Sequence, residues 1–324
     1  MTTSARCRTV TVPRGFDYNV YYTPATTPGK PTLLFLHGFP STIYDWRKQL
    51  PYFEERGFGV AAPDLLGAGQ SSKPTDPKAI RMNAMAQDII DILDALGLQQ
   101  VVGVGHDWGS MLLSRLSMLH QDRFQGLVWL AVGFRPATLP PHLETGEIVP
   151  GYDPYAYWEF FTRADAADVI RDNVDSFLEL VYPKDPACWL TWIAQRGKTA
   201  ECIKNGILVG RAEWLSDEEY TRIREDLLKY GVASSLLWYV CEQAGENHDD
   251  NLKIPEEAFT IRVPVLYIGA SKDYICLEST SLPLMQKYAT TLQTASLPGG
   301  HWIQSECADE LNTILHDWLA KIGR

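Results

Sequence analysis

Short apolar runs punctuate the chain: TLLFLH at 32–37, GVAAPDL at 59–65, VVGVGH at 101–106, GLVWLAV at 126–132 and VPVLYIG at 263–269. Each has strand length and no polar face, which predicts strands covered on both sides, as in a parallel sheet between helices. The stretches between them have a helical period. Ile89, Ile92, Leu93 and Leu96 recur at helical spacing and stop at Gly97, a natural helix terminator. Leu311, Ile314, Leu315 and Trp318 repeat the pattern late in the chain. Strands alternating with helices predict an α/β fold: a mostly parallel sheet with helices on both faces.

The alternation fails between about Pro136 and Leu252, where Pro, Tyr and Trp are frequent and the chain reads as helices without a clear strand. This predicts a helical cap at 136–252, inserted into a core built from 1–135 and 253–324. No internal repeat or low-complexity tract argues for a solenoid.

Composition removes several function classes. The chain has 324 residues and a formal net charge of -11, with no run of Lys and Arg to track phosphates, so no nucleic-acid partner is expected. The segment MTTSARCRTVTVPRG lacks an apolar stretch of signal-peptide length, and GLVWLAVGF is far too short to span a bilayer. The six cysteines form no CxxC pair or Cys/His cluster at metal-ligand spacing, and no N-x-S/T site occurs. A soluble, cytoplasmic protein with reduced thiols and no metal is the expectation.

Candidate chemistry concentrates at GVGHDWGS, residues 103–110, where a strand gives way to a helix. Small-x-nucleophile-x-small is the form of a nucleophile elbow, and Gly105 and Gly109 flank Asp107 in that frame. A dinucleotide loop is excluded because Trp108 stands where the third glycine belongs. Helix capping would be the ordinary work of such an aspartate. Its company shifts the balance. LFLHGFP ends the first strong strand in a turn whose N–H groups can converge with that of Trp108 on an oxyanion. GASKD sets Asp273 just after a strand, and PGGHWIQS sets His301 in a glycine-rich loop before the last helix. Nucleophile, acid, histidine is the triad order of one fold.

HGFPSTIYDWRKQLPYF, PDLLGAGQSSKP, GHDWGS, WLSDEEY, LLWYV, GASKDYIC and GGHWIQSECADELNTIL follow one another along essentially the whole chain. Together they resemble the α/β-hydrolase fold epoxide hydrolases, the soluble enzymes in particular. The resemblance implies an epoxide hydrolase that needs no cofactor or metal and converts an epoxide and water to a vicinal diol. Asp107, already ionised at neutral pH, would attack an sp3 carbon and form an alkyl ester. His301, its tautomer fixed by Asp273, would activate water against that ester, with the N–H groups of Phe39 and Trp108 facing the oxyanion. Two cap tyrosines would hydrogen-bond the epoxide oxygen. LLWYV supplies Tyr239, and YWEFF fits Tyr157, with Tyr155 and Tyr152 one register away. His37, His106 and Asp64 would serve turn structure, and Trp46, Trp129 and Trp318 packing.

The nearest rival is a haloalkane or haloacetate dehalogenase with the same aspartate nucleophile. Its halide-binding Asn or Arg positions hold Phe39, Trp108 and Gly109 here. A rival of another class is a small-molecule receptor on the same fold, against which the intact set of Asp107, Asp273, His301 and Tyr239 argues. The partners expected are therefore a small-molecule epoxide and water, with the oligomeric state open, a homodimer included. Detoxification and turnover of a signalling lipid both fit such chemistry.

Overall fold

The strands predicted from apolar runs form the centre of one sheet in a computed structural model that describes residues 6–137 and 151–323. The strands are β1 (Cys7–Thr11), β2 (Asp17–Thr23), β3 (Thr32–Leu36), β4 (Gly59–Pro63), β5 (Val101–His106), β6 (Phe124–Leu130), β7 (Val265–Ala270) and β8 (Leu292–Leu297). They lie in the order β1-β2-β4-β3-β5-β6-β7-β8. From β4 to β8 every pairing is parallel, while β1 and β2 add an antiparallel edge. Every residue of β3, β4, β5 and β7 is buried, as strands apolar on both faces require.

The helix Met82–Ala95 buries Ile89, Ile92 and Leu93 on one face and gives way to Gly97 at φ 71°, the left-handed geometry that glycine adopts without strain. The helix Ala308–Ile322 buries Leu311, Leu315 and Trp318 on the opposite side of the sheet. Trp46 and Trp129 are fully buried in the core, the packing role expected of them.

Three strands escape the apolar-run criterion. β1 and β2 pair as a ribbon in which Val10, Tyr18 and Val20 reach the core between polar neighbours. β8 buries only Leu297, so its sequence carries no continuous apolar signal.

Between β6 and β7 the described residues contain helices and one isolated bridge, Pro183 to Arg211. Residues 138–150 of the expected cap lie outside the described residues. The inserted helices are pinned to the sheet side by directed bonds. Trp238 Nε1 donates to the Leu66 carbonyl at 2.9 Å, and Trp302 Nε1 to that of Val181 at 2.7 Å. Arg47 pairs with Glu219 at 2.6 Å, and Glu219 also closes a capping box with Ser216 at the start of the helix Asp217–Tyr230. No helix among the described residues is long and apolar enough to cross a membrane.

Candidate active site

β5 ends at His106, and the chain turns at once into the helix Trp108–Leu119. Asp107 at the corner has φ 54° and ψ −122°, a conformation that a residue with a side chain adopts only where its surroundings impose it. The imposition is visible in the glycines. A Cβ on Gly109 would lie 2.0 Å from the Leu36 carbonyl oxygen, and one on Gly105 would lie 2.6 Å from that of Gly109. The elbow closes because both positions lack one. Gly109→Ala should therefore force backbone against backbone and cost at least about 3 kcal/mol. A urea unfolding midpoint unchanged from the parent protein would contradict this.

Gly38 performs the same service from the facing turn: a Cβ there would meet Asp107 Oδ1 at 2.2 Å. In its absence the Phe39 N–H donates to Asp107 Oδ1 at 2.9 Å. Trp108 opens the helix beside it, where first-turn N–H groups have no carbonyl partner within the helix. One carboxylate oxygen thus accepts from the Phe39 N–H while the other is turned to His301.

His301 Nε2 stands 3.6 Å from Asp107 Oδ2, and its Nδ1 lies 2.6 Å from Asp273 Oδ2. Asp273 Oδ1 accepts from the N–H groups of Ile275 and Cys276 at 2.9 and 2.8 Å, which fixes the carboxylate that fixes the imidazole. Enclosure alone would raise the Asp107 carboxyl. The hydrogen bond and charge of His301 outweigh it, so Asp107 is held below the usual aspartate range. Burial disfavours the His301 imidazolium, yet the facing acids, Asp273 first, hold its pKa well above the usual histidine value. The two facing carboxylates therefore favour the imidazolium form in the free site.

Two openings meet at Asp107. One, with about 450 Å³ of empty space, is walled by Phe39, Phe161, Val181, Trp189, Tyr157 and Tyr239. The other, about 570 Å³, runs past Trp108, Met111, Tyr155 and Arg135. Both are lined mostly by apolar and aromatic side chains, as small-molecule sites are. The Tyr157 and Tyr239 rings lie 5.9 Å apart and Asp107 is near both. Burial, then neighbouring phenols, thiol and carboxylate, keep both hydroxyls protonated far above neutral pH. The neighbouring candidates are engaged elsewhere. Tyr152 donates to the Tyr274 carbonyl, and the Tyr155 hydroxyl accepts from Arg135 at 3.0 Å.

His37 and His106 have structural partners. His37 Nε2 accepts from the Leu65 N–H at 2.9 Å and its Nδ1 donates to the Gly38 carbonyl at 2.8 Å, tying the HGFP turn to the next loop. His106 Nε2 donates to the His301 carbonyl at 2.9 Å, and burial pushes its pKa down to about 3. Asp64 accepts from the N–H groups of Ile43 and Gln70, organising the loop after β4.

Sequence reasoning missed the support behind His301. Gln304 donates to the buried Asp45 carboxylate at 2.7 Å and faces His106 Nδ1 at 3.1 Å, forming a polar layer under the loop that carries His301. Neither residue belongs to a spacing pattern, though DW in IYDW and Q in GHWIQ lie within strings already singled out. The fold also gathers Asp273, Cys276 and His301 with donor atoms within 4.8 Å. The set is poorly suited to a metal: His301 Nδ1 is taken by Asp273, and burial, then the Asp273 charge, push the Cys276 thiol up to about 11.

A mostly parallel sheet with a strained acidic elbow after β5, a second acid after β7 and a histidine after β8 has the arrangement of an α/β hydrolase. The chain belongs to the alpha/beta hydrolase fold family, whose model matches residues 31–307. It is 27% identical to "Epoxide hydrolase A" of Mycobacterium tuberculosis over 91% of this chain and 92% of that protein. It is 26% identical to "Bifunctional epoxide hydrolase 2" of Sus scrofa over 91% of this chain, which spans about half (52%) of that longer protein. Among solved structures, an epoxide hydrolase from an endophytic Streptomyces aligns with a TM-score of 0.82 at 25% identity, covering 97% of this chain and 95% of that one. Epoxide Hydrolase A from Mycobacterium thermoresistibile also aligns with a TM-score of 0.82, at 24% identity over 97% and 98% of the two chains.

Proposed function

We infer that this protein hydrolyses an epoxide to a vicinal diol through a covalent ester on Asp107. The observation that carries the reading is the elbow carboxylate faced across one cavity by two protonated phenols, Tyr157 and Tyr239. The names of its relatives support the substrate class.

Asp107 Oδ2 attacks one ring carbon, the C–O bond breaks, and the alkoxide takes hydrogen bonds and a proton from Tyr157 and Tyr239. Oδ1 stays against the Phe39 N–H. His301 then removes a proton from water, whose oxygen adds to the ester carbon, and the charge on Oδ1 is held by the Phe39 and Trp108 N–H groups. Collapse breaks the bond to Oδ2, His301 returns its proton to the departing oxygen, and the diol leaves carrying Oδ2; the water oxygen stays on Asp107, whose remaining proton restores the tyrosine through solvent. Residues 136–252 act in this account as a cap that brings both phenols over a core of 1–135 and 253–324. No step calls for a metal or cofactor.

Tyr157→Phe and Tyr239→Phe should each slow ring opening about 10-fold, since one donor remains, and together about 10³-fold. Stopped-flow ring opening reads both values, and a double variant with parental rates would remove the phenols from the mechanism. The function itself is tested by offering styrene oxide and 1-bromobutane to the purified protein. Diol without halide is expected. Halide release without diol would establish a dehalogenase, and turnover of neither would favour a receptor.

A further inference from the structure

One buried carboxylate close to the site takes no part in the proposed chemistry. Asp45 lies in the turn Ile43–Trp46, just after the HGFP loop, and is buried. Its Oδ2 accepts from Gln304 Nε2 at 2.7 Å, and the same amide nitrogen stands 3.1 Å from His106 Nδ1. His106 Nε2 in turn donates to the His301 carbonyl at 2.9 Å, and the two imidazole rings lie 4.6 Å apart between centroids. A chain of three hydrogen bonds thus runs from Asp45 to the backbone of the residue that faces Asp107.

The chain has one polarity. An ionised carboxylate only accepts, so Gln304 turns its NH2 to Asp45, and the second N–H of that group then meets a lone pair on His106 Nδ1. This leaves the His106 proton on Nε2, where it serves the His301 carbonyl. The cost shows at the other end of the amide: Gln304 Oε1 is buried with no hydrogen-bond partner among the described residues. The charge on Asp45 is what holds the amide this way round.

Several elements present groups to Asp45: Arg47 on its own turn, Ser41 from the loop before it, His106 at the end of β5, Tyr182 from the inserted helices, and Gln304 and His301 from the segment after β8. Arg47 is engaged by Glu219 at 2.6 Å. Burial raises the Asp45 carboxyl to about 6, against the Gln304 hydrogen bond and the charges of Arg47 and His301. Above that pH Asp45 carries a buried negative charge, and of the groups around it His301 is the one whose charge the proposed reaction changes. His301 also faces Asp107, Asp273 and Cys276.

We propose that Asp45 is a positioning residue for ester hydrolysis: through Gln304 and His106 it fixes the His301 backbone, and its negative charge supports the imidazolium formed when His301 takes a proton from water. The proposal rests on the epoxide hydrolase reading of Asp107. Ring opening needs no base and should not depend on Asp45.

The test is Asp45→Asn, which keeps the shape and removes the charge, followed through both steps with styrene oxide by stopped-flow. Ester formation should keep its parental rate, while ester hydrolysis should slow about 10-fold. The acid limb of ester hydrolysis should also move to lower pH, because a negative charge that favours protonated His301 has gone. A merely structural defect would leave that limb where it was. Asp45→Ser, smaller and also uncharged, should show the same split, and it carries the comparison if the amide disturbs folding. A ratio of ester hydrolysis to ester formation equal to the parental one, or an acid limb at the parental pH, would overturn the proposal. Absence of any Asp107 ester in the parent protein would instead sink the epoxide hydrolase reading beneath it.

Discussion

With glutamine in place of His301 the protein should form one ester per site and then stall. Asp107 is ionised before substrate arrives, so ring opening needs no base. Hydrolysis of the ester does, and the candidate base is the imidazole whose Nε2 faces Asp107 Oδ2 at 3.6 Å. Steady-state turnover should fall about 10⁴-fold. The peptide containing Asp107 should gain the full mass of the epoxide within one turnover. An unmodified peptide with slow turnover, or turnover at the parental rate, would contradict the assignment.

The same pair of carboxylates accounts for how His301 changes role. In the free site the two carboxylates raise its pKa and favour the imidazolium, a form unfit to take a proton. In the proposed route ester formation would neutralise Asp107 and leave Asp273 as the remaining acid at hydrogen-bonding distance. Losing a neighbouring negative charge lowers the pKa, so the ring releases its proton when a base is first required. The acid limb of ester hydrolysis should accordingly fall at lower pH than the titration of His301 in the free protein.

Asp107→Ala should produce the larger loss, about 10⁴-fold or more in diol formation, because the ester pathway disappears rather than halting midway. No adduct should form. The two variants separate the steps: Asp107→Ala never acquires the substrate mass, and His301→Gln acquires it and keeps it. Residual diol from Asp107→Ala would come from water activated directly by His301, whose second acid, Asp273, is still in place.

The chain order exposed the elbow and its partners because their signals are local. Gly105 and Gly109 flank Asp107 within five residues, and HGFP and GGHW are turns whose geometry depends on their own glycines. The central strands were legible for a related reason: burial on both faces leaves an unbroken apolar run. The strands β1, β2 and β8 hide because, at or next to the edges of the sheet, they mix exposed and buried positions. The tyrosine register is not legible in the sequence, where Tyr152, Tyr155 and Tyr157 share one aromatic cluster; in the fold Tyr152 donates to the Tyr274 carbonyl and Tyr155 accepts from Arg135. Asp45 and Gln304 lie 259 residues apart, and no spacing announces a pair that only folding brings together.

The covalent route is tested most directly by one turnover in ¹⁸O-water with the protein in excess over styrene oxide. The account predicts diol free of ¹⁸O, because its new oxygen comes from Asp107, and an Asp107 peptide heavier by one ¹⁸O-for-¹⁶O exchange. Labelled diol with an unlabelled Asp107 peptide would mean that water attacks the epoxide directly, and the ester mechanism would be wrong.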